Sequence, residues 1–197
     1  MPTFTGFNYG TTPVITPGSW NTGRFFTTST TWVAPADGFV TFVALGGGGS
    51  GGIFKNNTQL NAATGGAAGG LSVKTIAVKA GATYTITVGA GGTSPTSTAT
   101  ATAVNGNVGG NTSIIGPGVA LVGFGGSAGT AVVNSSSLSG VSGGVATGGD
   151  FNLQGGGSGS VTYTSGTTGR VSTGGGAVNF FGIRYNSSSY SGAAGSR

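Results

Sequence analysis

The sequence predicts an all-β protein: β-sandwich-like hairpins joined by extended, glycine-rich segments of the polyglycine or polyproline II type. Three observations lead there. Short runs of aromatic and β-branched residues are punctuated by turn formers, glycine supplies 45 of the 197 residues, and no stretch repeats its apolar residues at a helical period. Such a composition borders on low complexity. Disorder, however, goes with high net charge, and +5 over the whole chain is small.

The elements follow in order. Phe25-Phe26-Thr27-Thr28-Ser29-Thr30-Thr31-Trp32-Val33 is a strand by residue type, and Ala34-Pro35-Ala36-Asp37-Gly38 carries turn formers. Phe39-Val40-Thr41-Phe42-Val43-Ala44-Leu45 is an apolar run of strand length, so 25–45 reads as a β-hairpin. A second hairpin is read over 71–88. Leu71-Ser72-Val73-Lys74-Thr75 alternates, Ile76 and Val78 continue on the opposite parity, and that switch predicts a bulge near Thr75. After Lys79-Ala80-Gly81-Ala82 the chain alternates strictly, with Tyr84, Ile86 and Val88 inward and Thr83, Thr85 and Thr87 outward. Further strands are expected over 111–115, 119–123, 160–164 and 179–185.

Between the strands lie glycine clusters at 46–52, 65–70, 89–92, 106–110, 123–129, 140–149, 155–159 and 174–176. They are too frequent to be linkers between domains. Left-handed extended runs make no internal hydrogen bonds, so each must donate and accept laterally, and glycine lets such runs approach closely. The density of these clusters is highest after residue 105. The chain is therefore divided into a β-rich part, 1–105, and a glycine-rich distal part, 106–197, continuous with the first as one domain. Ordering so much glycine costs backbone entropy that few side chains offset. Backbone hydrogen bonding and neighbouring copies of the chain are expected to supply the difference.

The same inventory limits function. There is no Cys, His or Glu, and the only acidic side chains are Asp37 and Asp150. Metal sites on soft ligands, Ser–His or Cys–His nucleophiles and paired-carboxylate chemistry are all excluded, so no enzyme, metal or cofactor is expected. The pI near 10 reflects scarce acid rather than abundant base. Arg24, Lys55, Lys74, Lys79, Arg170, Arg184 and Arg197 are scattered, which argues against nucleic acid as a partner. No apolar run is long enough to span a membrane, and Met1-Pro2-Thr3-Phe4 does not open a secretory leader.

Gly47-Gly48-Gly49-Ser50-Gly51-Gly52 satisfies G-x-G-x-x-G, but no helix or acidic residue follows at the required place, and chance explains the match. Four Asn-x-Ser/Thr tripeptides, at Asn56, Asn111, Asn134 and Asn186, are equally expected by chance. The run 96–102 sets hydroxyls at period two, too briefly for an ice-binding array. Trp20 and Trp32 are read as core or subunit-interface anchors. The segment Phe180-Phe181-Gly182-Ile183-Arg184-Tyr185-Asn186-Ser187-Ser188-Ser189-Tyr190 mixes the aromatic, Arg, Ser and Asn residues of binding surfaces, and it reads equally as a final core strand with a polar tail. Tyr163, Arg184, Tyr185 and Tyr190 are the candidate receptor-binding residues.

Two blocks carry a family resemblance. Thr31-Trp32-Val33-Ala34-Pro35-Ala36-Asp37-Gly38, the strand through Leu45 and the glycines of 46–52 form one. Gly65-Gly66-Ala67-Ala68-Gly69-Gly70 leading to Tyr84-Thr85-Ile86-Thr87-Val88-Gly89-Ala90-Gly91-Gly92 forms the other, continued by Gly109-Gly110-Asn111-Thr112-Ser113 and Gly125-Gly126. Over about 20–180 the chain resembles the glycine-rich domains of bacteriophage tail-fibre and tail-tip proteins. The resemblance implies a virion structural protein, assembled in the host cytoplasm. It would be a tail-fibre or receptor-binding subunit that forms a homo-oligomer, expected as a trimer, and contacts other tail proteins and a bacterial surface glycan or protein. The alternative is a capsid decoration, collar or tail-tip protein without receptor binding; an ice-binding protein is a distant third.

Overall fold

The computed structural model describes residues 23–55, 61–97, 102–133, 137–162 and 170–171, and every regular element among them is a strand. In chain order these are β1 (Thr30–Val33), β2 (Gly38–Leu45), β3 (Ile53–Lys55), β4 (Asn61–Ala63), β5 (Leu71–Val78), β6 (Thr83–Thr87), β7 (Thr102–Val104) and β8 (Thr112–Gly116). They continue as β9 (Val119–Gly123), β10 (Ala131–Val133), β11 (Ser137–Leu138), β12 (Ala146–Thr147), β13 (Phe151–Leu153), β14 (Val161–Thr162) and β15 (Arg170–Val171). The fold is all-β, as the sequence predicts. The predicted strand over 179–185 lies outside the described residues.

Two sheets make a small sandwich. One runs β1-β6-β8-β9-β12 and the other β13-β5-β2. Alternation sends Tyr84 and Ile86 of β6, Ile114 of β8 and Leu121 of β9 inward against Phe42 and Ala44 of β2 and Val78 of β5. Tyr84 is at the centre, its ring 5.4 Å from Trp32 and 5.0 Å from Phe42, and Trp32 meets Phe42 edge-on at 5.8 Å. Trp32 is thus a core anchor. Trp20 lies outside the described residues.

Neither predicted hairpin, 25–45 nor 71–88, is a hairpin. β1 pairs with β6 and β2 with β5, in different sheets, and 25–29 is not strand. The turns at 34–37 and 79–82 are arches that carry the chain from one sheet to the other. They hold each other: Ala34 N–H donates to the Ala82 carbonyl, Gly81 N–H to the Ala34 carbonyl, and Ala80 N–H to Asp37 Oδ1, each at 2.8 Å. Pairing arch with arch lets β1 bond β6 and β2 bond β5 while bringing two apolar faces together. Local hairpins would have satisfied the backbone without giving the apolar faces a partner.

The predicted bulge near Thr75 is also absent, since β2 and β5 run in unbroken register from Gly38↔Val78 to Leu45↔Leu71. The parity switch has another cause. Ile76 and Val78 face the sandwich core, whereas Leu71 and Val73 face outward and are covered by β2 and by β13, where Leu153 and Phe151 lie opposite them. The true hairpin is β8–β9, turned by Pro117-Gly118 with Gly118 at φ 75, the residue order of a type II turn.

The glycine runs form a bundle beside the sandwich. Gly46, Gly49 and Gly52 donate to the carbonyls of Gly70, Ala67 and Thr64, and Thr64, Ala67 and Gly70 donate to Thr130, Ser127 and Phe124. Gly47 and Ser50 likewise bond Gly110 and Asn107, and Gly106 and Gly109 bond Gly129 and Gly126. Each neighbour is met at every third residue, the repeat of a three-residue-per-turn extended helix. The run 64–70 is central, with Thr64 and Ala67 buried. Its packing leaves no room for a side chain at Gly69, where a Cβ would fall on the backbone of Gly46. Three of the runs precede residue 105 (46–52, 64–70 and the one beginning at Gly89), so the bundle draws on both halves of the chain.

Candidate functional site

Each glycine run joins a sandwich strand to a strand at the opposite end of the bundle. Segment 46–52 leads from β2 to β3, 64–70 from β4 to β5, 105–111 from β7 to β8, and 124–130 from β9 to β10. Segment 139–145 leads from β11 to β12, and 154–160 from β13 to β14. The far strands pair among themselves as β3-β7, β10-β4-β15 and β11-β14. The described residues that flank 56–60, 98–101, 134–136 and 163–169, from Lys55 and Asn61 to Thr162 and Arg170, belong to this far end.

The far strands are set by side chains as well as backbone. Thr64 Oγ1 accepts the Thr130 N–H at 2.9 Å, and Asn105 Oδ1 accepts the Ala131 N–H at 2.8 Å. Within the bundle, Ser50 Oγ accepts the Asn107 N–H and donates to the Thr93 carbonyl, both at 2.8 Å, and Asn107 Nδ2 donates to the same carbonyl. Ile53 and Phe54 of β3, Val132 and Val133 of β10 and Leu138 of β11 are half-buried there. The polar residues set among the glycines were the available signal for these locks: Ser50, Asn105 and Asn111 each accept a backbone N–H, and Asn107 donates its side-chain amide to a backbone carbonyl.

Of the predicted site residues, Tyr163 falls in the connection 163–169, and Arg184, Tyr185 and Tyr190 follow β15. All four lie outside the described residues. The other chemistry can be located. Asp37 and Lys79 form an ion pair at 2.9 Å at the arches, and Asp150 Oδ2 accepts the Thr75 N–H at 3.2 Å. The Lys79 hydrogen bond, with that of the Ala80 N–H, holds the Asp37 carboxyl below its ordinary range, and Asp37 raises the Lys79 ammonium above its own. Among the described residues no three His, Cys, Asp or Glu side chains cluster as metal ligands. No helix among them is long and apolar enough to cross a membrane. The G-x-G-x-x-G segment has its amides committed: Gly47, Gly49, Ser50 and Gly52 all donate within the bundle, leaving none of these four for a phosphate.

The architecture defines a class of protein: a β-sandwich fused to a bundle of laterally hydrogen-bonded glycine helices. The model of the glycine-rich domain family matches residues 25–197, and the chain belongs to that family. No curated protein matches it.

Proposed function

We propose that the chain is a bacteriophage virion protein, a tail-fibre or receptor-binding subunit that holds a bacterial surface glycan or protein by repeated weak, non-catalytic contacts. The observation that carries this reading is the backbone-bonded bundle, whose described far strands β3, β4, β7, β10, β11 and β14 lie together at the end remote from the sandwich. Recognition residues commonly sit on segments held by a rigid scaffold, and a bundle fixed through its backbone leaves the sequence between its far strands free to vary. The resemblance of 31–52 and 65–92 to tail-fibre glycine-rich domains supplies the virion context. Copies of the chain on one particle, as a homo-oligomer joined to other tail proteins, would multiply weak contacts into firm adhesion.

The test is adhesion of the labelled full chain to a panel of intact bacteria, beside a chain truncated after Gly176. Binding that truncation abolishes, with the Trp32 environment unchanged by fluorescence, supports the reading and assigns binding to the segment holding Arg184, Tyr185 and Tyr190. Binding that survives truncation removes those three residues from the site. Absence of binding to every host tested favours the second reading, a decoration, collar or tail-tip subunit that contacts only other virion proteins. The exposed apolar side chains of β2 and β13, suited to contact between protein subunits rather than to a glycan, give that reading its support.

A further inference from the structure

On the outer face of the sheet β13-β5-β2, the described apolar side chains of the two flanking strands stand exposed around the buried Leu71 and Val73. On β2, Phe39 is 83% exposed, Val43 48% and Leu45 52%, and on β13 Phe151 is 70% exposed. The register puts them on one surface: Val43, Val73 and Phe151 form one row across the three strands, and Leu45, Leu71 and Leu153 form the next. The four exposed side chains present on the order of 500 Å² of apolar surface, at the upper end of what a lone soluble chain leaves to water.

We infer that this face is covered by the same face of a second copy of the chain. Three features favour a copy of itself over a different partner. The described outer face carries no charged side chain, so two copies can meet without burying an unpaired ion. Its central polar groups, Thr41 and Thr75, already share an Oγ1···Oγ1 hydrogen bond of 2.8 Å, which lowers the cost of covering them. The charges at its margins are also spoken for, Asp37 by Lys79 and Asp150 by the Thr75 N–H. Two such faces together bury about 1,000 Å², which reaches the threshold of a specific interface. An isologous contact of this kind closes as a two-fold dimer. The glycine runs donate and accept among themselves within one chain, so the sheet face, not the bundle, is the surface in need of a partner. Contact there leaves the far end free.

The inference deepens the oligomeric part of the function proposed above, and its test reads mass alone, whether or not the chain adheres to any cell. Light scattering after gel filtration, over a dilution series of the full chain, is expected to give twice the 18.7 kDa of one copy. The double variant Phe39→Glu, Phe151→Glu places carboxylates on the face and is expected to weaken association by about 100-fold. Both side chains are exposed, so the fold survives the change, and an unaltered circular dichroism spectrum verifies it. Thr31→Glu, outward on the opposite sheet, is expected to leave the dimer intact. A wild-type chain that stays monomeric, a trimer, or a dimer that persists in the double variant overturns the inference.

Discussion

Gly48 and Gly49 are neighbours in one glycine run, yet alanine at each has opposite consequences if backbone contact holds the bundle together. A Cβ on Gly48 meets nothing nearer than the Ala67 carbonyl oxygen, at 3.6 Å. A Cβ on Gly49 falls on the carbonyl of Ser127, which belongs to the adjacent backbone and has no flexible end to swing aside. Relief requires 46–52 to part from 124–130. That separation removes the bonds from Gly126 N–H to the Gly47 carbonyl and from Gly129 N–H to the Ser50 carbonyl, both 2.8 Å. At about 1 kcal/mol net for each bond, with lost packing added, Gly49→Ala costs about 2 to 4 kcal/mol. Gly48→Ala instead restricts the unfolded chain and stabilises by about 0.5 kcal/mol. Thermal unfolding followed by circular dichroism separates the two: the Gly49 variant is expected to melt roughly 5 to 12 °C lower and the Gly48 variant slightly higher than the parent. Melting temperatures for the two variants that agree within error refute the packing scheme.

Two further outcomes follow from side chains at the ends of the bundle and at the arches. Thr64→Val keeps the volume but deprives the Thr130 N–H of its 2.9 Å acceptor in a buried position, so urea unfolding is expected to show a loss of about 1 to 3 kcal/mol. The Asp37–Lys79 pair sets a pH window. The carboxyl is held below its ordinary 3.8, so its contribution is complete above that pH and is lost as pH falls through the folded value. The ammonium is held above its ordinary 10.5, so its contribution is complete below that pH and is lost as pH rises through the folded value. Melts across that range are expected to give a plateau between small acid and alkaline shoulders, both erased in Asp37→Asn and both diminished by salt because the pair is exposed. Shoulders unchanged in the variant would assign them to other groups.

Strand content was legible in the sequence because it rests on local pattern. Thr83, Tyr84, Thr85, Ile86 and Thr87 alternate as a half-buried strand must, and β2 and β9 lie almost where residue type alone puts them. Partners were not legible. Ala34-Pro35-Ala36-Asp37-Gly38 contains the residues of a tight turn, but those residues serve an arch equally well. The choice is made by Trp32 and Phe42 meeting across the core and by Asp37 reaching Lys79 and Ala80 some forty residues on. The glycine runs were readable as laterally bonded helices from composition. Which run meets which was not, because glycine carries no side chain to mark a face. Short strands such as β3, β4 and β10 escaped for a related reason: Asn61, Ala62 and Ala63 have no strand signature and are ordered by what flanks them.

The bundle also bears on how the protein responds to temperature. Heat capacity rises on unfolding chiefly because apolar surface meets water, while exposed peptide groups lower it. Here much of the described interior consists of amides bonded to amides, as in the ladder linking Gly46, Gly49 and Gly52 to Gly70, Ala67 and Thr64, and among the described residues it is the sandwich that supplies a cluster of large apolar side chains. Unfolding therefore carries a heat-capacity increment below the usual ~12–15 cal/mol/K per residue. The stability curve is correspondingly shallow, and cooling erodes the fold less than it does one resting on apolar burial.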